Sequence, residues 1–236
     1  MHVEALVEQF FEILITGDRP AARTFIQQAQ KAVGGPAELI TDLFWPVHQQ
    51  LERLYRADQL TRMSHHMATR LLRVLVDQNA ARMDFGRKNG KTVLAFCGPS
   101  ENEELGAQMS VDLLEASGYT VFFGGSGVAA DEIMSRVNND KPSVLMMFCS
   151  APADLPDVRT LIDQLREIGA SNGTQIAVGG GVFNRAEGLA EEMGADLWAT
   201  SPLEMALTLI EEPQRRAAVN QRTVGRVRRT PKSKAA

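Results

Sequence analysis

Apolar residues recur three and four positions apart through the first third of the chain, as in Leu6, Phe10, Phe11 and Leu14, and again in Met67, Leu71, Leu72, Val74 and Leu75. That spacing gives each segment one oily stripe, so residues 3–83 are predicted to form four amphipathic helices packed as a bundle. The breaks have local causes. Gly17 and Asp18 precede Pro20, which suits a first helical turn, and Gly34-Gly35-Pro36 ends one helix and opens the next. Ala57-Asp58-Gln59 ends the third, and Thr61 is placed to cap the fourth. Beyond residue 90 the pattern changes to short apolar runs at 92–97, 120–123, 143–148, 175–178 and 197–200. The first four are each expected to lead into a helix of ten or more residues, and a last helix is expected over 202–211. Strands alternating with helices imply a parallel sheet covered on both faces, and Val144-Leu145-Met146-Met147-Phe148 has the unbroken apolar character of a central strand. The expected fold class is therefore α/β: an N-terminal four-helix bundle (1–83), a glycine-bearing charged linker (84–90), a five-stranded parallel doubly wound sheet (91–212) and a tail (213–236).

Composition narrows this picture only in places. In 236 residues, 44% are hydrophobic and 23% charged, and no window is long and apolar enough to span a bilayer. The start of the chain lacks the basic, apolar and small-residue order of an export signal, so a cytoplasmic location is expected, with no membrane partner. Cys97 and Cys149, the only two cysteines, are expected to remain thiols. The net charge of -4 hides a basic tail: Arg215 to Lys234 holds eight basic and no acidic residues. It is expected to be solvated and disordered, and is the one segment suited to nucleic acid.

In a doubly wound sheet, loops at the carboxyl ends of the strands line the ligand crevice. Three stand out. After the first strand comes Gly98-Pro99-Ser100-Glu101-Asn102-Glu103-Glu104-Leu105-Gly106; after the third, Cys149-Ser150-Ala151-Pro152; after the fourth, Gly179-Gly180-Gly181, where a flat group can approach the backbone without meeting a β-carbon. No Gly-Lys-Ser phosphate loop and no G-x-G-x-x-G after the first strand is present, and no catalytic triad or paired acid and base has a credible spacing. A self-sufficient enzyme is not expected.

Taken in order, these loops resemble the D-x-H-x-x-G, S-x-L and G-G signatures of cobalamin-binding domains. Glu101, Glu103 and Gly106 occupy the first motif, Ser150 and Pro152 the second, and Gly180-Gly181 the third. The bundle is similar to the helical cap of light-sensing and methyl-carrying members of that family, whose W-x9-E-H pattern lies over the corrin; Tyr55, His65 and His66 stand at its positions. The resemblance implies that Ser150 and the glycines hold the nucleotide tail, while Tyr55, His65 and His66 cover the upper face. His66 is the candidate metal ligand, and Met63 and Met67 extend its face.

The substitutions alter the expected chemistry. In the family a histidine below the ring ligates cobalt; here the position is Glu103, a hard oxygen donor among other carboxylates, with Glu101 and Glu104 adding repulsion. Cobalamin with its own base or water below the metal, another tetrapyrrole such as biliverdin, and an empty pocket all remain open. Cys97 is a candidate covalent attachment point for a linear tetrapyrrole. Adjacent helical residues point about 100° apart, so only one of His65 and His66 can face a ligand squarely. The bland alternative has His65 at the surface and His66 packed. The main functional expectation is a sensory or regulatory module, a photoreceptor among the possibilities, acting through a protein partner or a homo-oligomer. The alternatives are a corrinoid methyl carrier of a methyltransferase system and a cofactor-free scaffold. Gly180→Trp is expected to fill the tail slot and leave the fold intact; Glu103→His is expected to restore a donor to the metal.

Overall fold

The computed structural model describes residues 3–98, 101–170 and 172–217, without the side chains of 101–103. It divides into two compact units, residues 1–87 with 108–118, and residues 88–107 with 119–236.

The first unit is helical: α1 (Val3–Thr16), α2 (Arg19–Val33), α3 (Pro36–Leu39), a π-helical turn (Ile40–Phe44), α4 (Trp45–Arg56) and α5 (Arg62–Ala80). The expected breaks are where the sequence puts them. Asp18 caps α2 by accepting from the Ala21 N–H, and Thr61 caps α5 by accepting from the Ser64 N–H. The π turn has a cause in the chain: Pro46 offers no N–H to the carbonyl four residues back and its ring would clash there, so the preceding turn widens. Leu6, Phe10, Phe11 and Leu14 are buried as predicted, and Phe10 stacks on Phe25 at 5.4 Å between ring centres. In α5, Leu71, Leu72 and Leu75 are buried, but Met67, expected on the same stripe, is exposed and Val74 only half-buried. No helix or strand is present over 83–90.

The second unit is a parallel sheet in the order β2-β1-β3-β4-β5, formed by β1 (Thr92–Cys97), β2 (Thr120–Gly125), β3 (Val144–Phe148), β4 (Gln175–Gly179) and β5 (Leu197–Trp198). Every pairing is parallel, with Leu94 opposite Leu145 and Leu145 opposite Ile176. The connecting helices are α6 (Glu101–Ala116), which from residue 108 is counted with the first unit, α7 (Ala130–Asp140) and α8 (Leu155–Glu167); α11 (Pro202–Glu211) closes the second unit. Strands β3 and β4 are buried throughout their length, as a sheet covered on both faces requires. The helix expected after β4 is instead two short ones, α9 (Gly181–Arg185) and α10 (Leu189–Glu192): the first ends where Ala186 turns extended, and Gly188, at φ +79°, leads into the second.

The tail expected from 213 does not start there: Arg215 lies 4.6 Å over the Trp198 ring, its carbonyl accepts from Gln175, and the Ala217 N–H donates to Asp196. The basic run from 218 to 236 lies outside the described residues. Among the described residues no helix is long and apolar enough to cross a membrane.

Candidate functional site

Strand order places the reversal of winding between β1 and β3, so the loops after these two strands flank the crevice. The structure brings two of the three sequence motifs together. The Cys149 N–H donates to Gly179 O at 2.9 Å, and the Val182 N–H donates back to Cys149 O at 3.2 Å, so the loops after β3 and β4 are laced backbone to backbone. A β-carbon on Gly181 would lie 3.5 Å from the Ser150 hydroxyl, which makes Ser150 and Gly181 neighbours.

The reason for the glycines differs from the one expected. At Gly179 a β-carbon would come within 2.9 Å of the Phe148 ring; at Gly180, which has φ +105°, within 2.3 Å of Cys149 O. These two are glycine because the protein's own atoms already fill the space. Gly180→Trp therefore cannot leave the fold intact, contrary to expectation. Gly181 differs: its obstacle is the end of the Arg185 side chain, at 2.7 Å, and Arg185 Nη2 donates to Ser150 O at 2.5 Å. A flexible guanidinium covers the Ser150–Gly181 position and can swing aside.

Of the first motif, Gly106 is half-buried in α6, while the side chains of Glu101 and Glu103 lie outside the described residues, as do Pro99 and Ser100. Glu104 Oε1 accepts from the Ser126 N–H at 3.0 Å and from the Ser126 hydroxyl at 2.6 Å. Cys97 is half-buried and Cys149 buried, and both remain thiols.

In the first unit, Tyr55, His65 and His66 are close, with the two histidines in the opposite arrangement to the bland alternative. His65 is 1% exposed, stacks on Tyr55 at 4.0 Å between ring centres, and its Nε2 donates to Glu52 Oε1 at 2.7 Å. His66 is exposed, as are Met63 and Met67, so these three form an outward face of α5. Among the described residues no group of three or more histidine, cysteine or acidic side chains is arranged to hold a metal, and the ring of His66 lies 6.0 Å from that of His65.

Sequence reasoning missed His48 and Glu52. They share a face of α4 with Tyr55 at four- and seven-residue spacings, a signal that was available. Burial acts to raise the Glu52 carboxyl, but the hydrogen bond from His65 and the charges of His48, His65 and Arg56 outweigh it and hold the group below its ordinary range. Burial holds His48 below its ordinary value, with Glu52 opposing and His65 and Arg56 reinforcing. A depressed histidine must take up its proton on unfolding, so its contribution to stability is present above about pH 6.5 and lost as the pH falls below it. Replacing His48 with Gln is expected to flatten the decline in denaturation midpoint on the acid side of pH 6.5; an unchanged decline would assign it to other groups.

A B12 binding domain model matches residues 91–207, and a second B12 binding domain model matches residues 6–78. The chain belongs to the B12-binding domain family. No curated protein sequence matches it. Among solved structures, the monomethylamine corrinoid protein of Methanosarcina barkeri superposes with a TM-score of 0.79 at 15% identity, over 89% of this chain and 99% of that one. At that identity the likeness establishes the fold: a helical cap followed by a Rossmann-like unit, as the sequence motifs implied. Two further matches have TM-scores of 0.48 and 18% identity, too distant to carry weight. They are a cobalamin-binding protein from Desulfitobacterium hafniense DCB-2, over 89% of this chain and 98% of that one, and the methanol:cobalamin methyltransferase complex MtaBC from Methanosarcina barkeri, over 90% and 82%. Nothing in these comparisons supports a bilin pigment, a light sensor or a nucleic-acid partner.

As a B12-binding domain the chain fits its cofactor unevenly. Ser150, next to the Gly180-Gly181 backbone, offers a hydroxyl and a small-residue surface behind one movable arginine, which suits the tail. The loop after β1 has no histidine, so a cobalt ligand from that loop does not fit.

Proposed function

We propose that the chain is a corrinoid carrier protein: it holds cobalamin or a close corrinoid and presents it to separate methyltransferase subunits, rather than acting as a photoreceptor. The observation that carries corrinoid binding is the tandem of B12 binding domain matches, one on the bundle and one on the sheet unit. The shared fold with a monomethylamine corrinoid protein, over 99% of that chain, supports the carrier over the sensory reading.

When bound, the cofactor would supply a cobalt centre able to carry a methyl group. The chain's own residues have simpler tasks. Ser150 and the Gly180-Gly181 backbone receive the tail, with Arg185 displaced or turned toward its phosphate. The outward face formed by Met63, His66 and Met67, and the nearby Tyr55, offer apolar and imidazole contacts to a flat ring. Glu101, Glu103 and Gly106 remain candidate cofactor contacts. With Glu103 in place of an imidazole, this loop would supply no nitrogen donor to the bound cofactor, and no step at the metal is assigned to a residue of this chain.

The test is retention of hydroxocobalamin by the purified full chain through gel filtration, followed in the visible spectrum. Near-stoichiometric retention is expected, with weaker retention of cobinamide, which lacks the tail. Gly181→Leu should abolish the difference between the two, with circular dichroism to check that the fold is kept, and Gly181→Ala, whose β-carbon needs only the end of Arg185 to move, should reduce it with the thermal midpoint nearly unchanged. Glu103→His should shift the spectrum of the bound corrinoid by adding a nitrogen donor. If neither corrinoid is retained, the chain is a scaffold; if only cobinamide-like retention is seen, the tail slot is not where Ser150 and the glycines place it.

A further inference from the structure

The second unit contains a cleft of about 370 Å³ that none of Ser150, Gly179, Gly180 or Gly181 lines. Its walls come from the end of β1, the loop after β2 and the first turns of α7 and α8, with Phe96, Ile133, Met147, Val158 and Leu161 providing an apolar interior. One charged group is built into it. Asp154 lines the cleft, is only 5% exposed, and its Oδ2 has no hydrogen-bond partner. Asp154 sits at the cap position of α8, a thirteen-residue helix, yet its side chain makes no cap bond. Aspartate is among the best capping residues, so a carboxylate that forgoes the cap while buried is held for another partner. It is also held in place: a β-carbon on Gly98 would lie 2.2 Å from Asp154 Oδ2, so glycine at the end of β1 is what lets the carboxyl pack against the backbone.

The charge balance says what that partner is. Among the described lining residues the acidic side chains are Asp154 and Asp157, with no lysine, arginine or histidine; Cys97 adds a thiol. A buried carboxylate beside a second acid, with no cation to answer it, is an incomplete pair. We infer that this cleft is a binding site for a compact organic cation, an amidinium or primary ammonium on an apolar body, with Asp154 accepting its N–H bonds. An amidinium matches a carboxylate with two parallel N–H groups, and the apolar body replaces water against Phe96, Ile133 and Leu161. Burial, then the negative charge of Asp157, pushes the Asp154 carboxyl above its ordinary range, and a cation in the cleft would reverse that push. The site is separate from the proposed tail position, and its test does not depend on corrinoid binding.

The test is calorimetric titration of the full chain with benzamidine and benzylamine, against benzyl alcohol and benzoate of the same shape. Saturable binding of the two cations is expected, weaker by about tenfold or more for benzyl alcohol, as loss of a charged hydrogen bond implies. Benzoate should not bind. Asp154→Asn should weaken benzamidine by a similar factor. Ala130→Trp, made at an exposed residue at the mouth, should block every probe without disturbing the buried interior. Circular dichroism of both variants confirms the fold. The inference is overturned if no cation saturates in the millimolar range, if benzyl alcohol binds as well as benzamidine, or if both variants bind benzamidine as the unaltered chain does.

Discussion

Gly180→Ala is expected to destabilise the protein by about 4 kcal/mol, read as a lowered urea midpoint with an unchanged slope. Two independent costs add at this position. The backbone has φ +105° and ψ 167°, a region that side-chain-bearing residues hardly enter, and forcing alanine there costs about 1–3 kcal/mol. The new β-carbon would also lie 2.3 Å from Cys149 O and 2.7 Å from Cys149 N, well inside van der Waals contact. Neither obstacle can yield cheaply: Cys149 is a backbone segment, laced to β4 by the bonds from its N–H to Gly179 O and from the Val182 N–H to its carbonyl. Gly181→Ala is the control. Its nearest obstacle is the tip of Arg185, so a loss under about 1 kcal/mol is expected. Equal losses at the two positions would show that the loops after β3 and β4 are not packed as described.

The same pair of glycines shows where sequence reasoning ran out. A run of three glycines after a strand signals that backbone must come close to something; whether that is a ligand or the next loop depends on packing across β3 and β4, which no local pattern encodes. The fold itself was legible because its signals are local. Asp18 and Thr61 cap helices where capping chemistry predicts, and β1 spans Thr92–Cys97 as its unbroken apolar run indicated. The arrangement of the histidines was also legible in the spacing along α5. His65 lies on one stripe with Ala68, Leu72, Val76 and Asn79, all buried, whereas His66 shares its side of α5 with Arg70, Arg73 and Asp77. The register of α5 alone places His65 inward. Asp154 was harder to see. Between Pro152 and Pro156 it reads as an ordinary helix cap, and only the missing cap bond and the cleft beside it show otherwise.

A buried acid in α6 sets the largest pH effect expected of the chain. From Met109 to Leu114 every residue is buried, so an acid in that run is enclosed whichever way it turns, and Asp112 is 3% exposed. Gln108 Nε2 donates to its Oδ1 at 2.6 Å, but its Oδ2 has no partner. Burial pushes its carboxyl up to about 7; the Gln108 bond opposes this, and the charges of Glu115 and Asp77 add to it. The folded protein therefore holds a proton that the unfolded chain, with an ordinary value of 3.8, gives up. Stability from this group is present in full below the unfolded value and is lost as the pH rises toward the folded one. At 1.36 kcal/mol per pKa unit the loss across that window is on the order of 4 kcal/mol, with about 2–3 kcal/mol falling between pH 5 and pH 8.5. Asp112→Asn removes the titration and keeps an acceptor for Gln108. The variant is expected to exceed the unaltered chain in unfolding free energy at pH 8.5, and the gap should narrow by that amount at pH 5. Taking the difference between the two chains at each pH cancels the opposing acid-side effect of His48, which both retain. Parallel pH curves for the two chains would mean that Asp112 is ionised in the folded protein, and that solvent reaches it along α6.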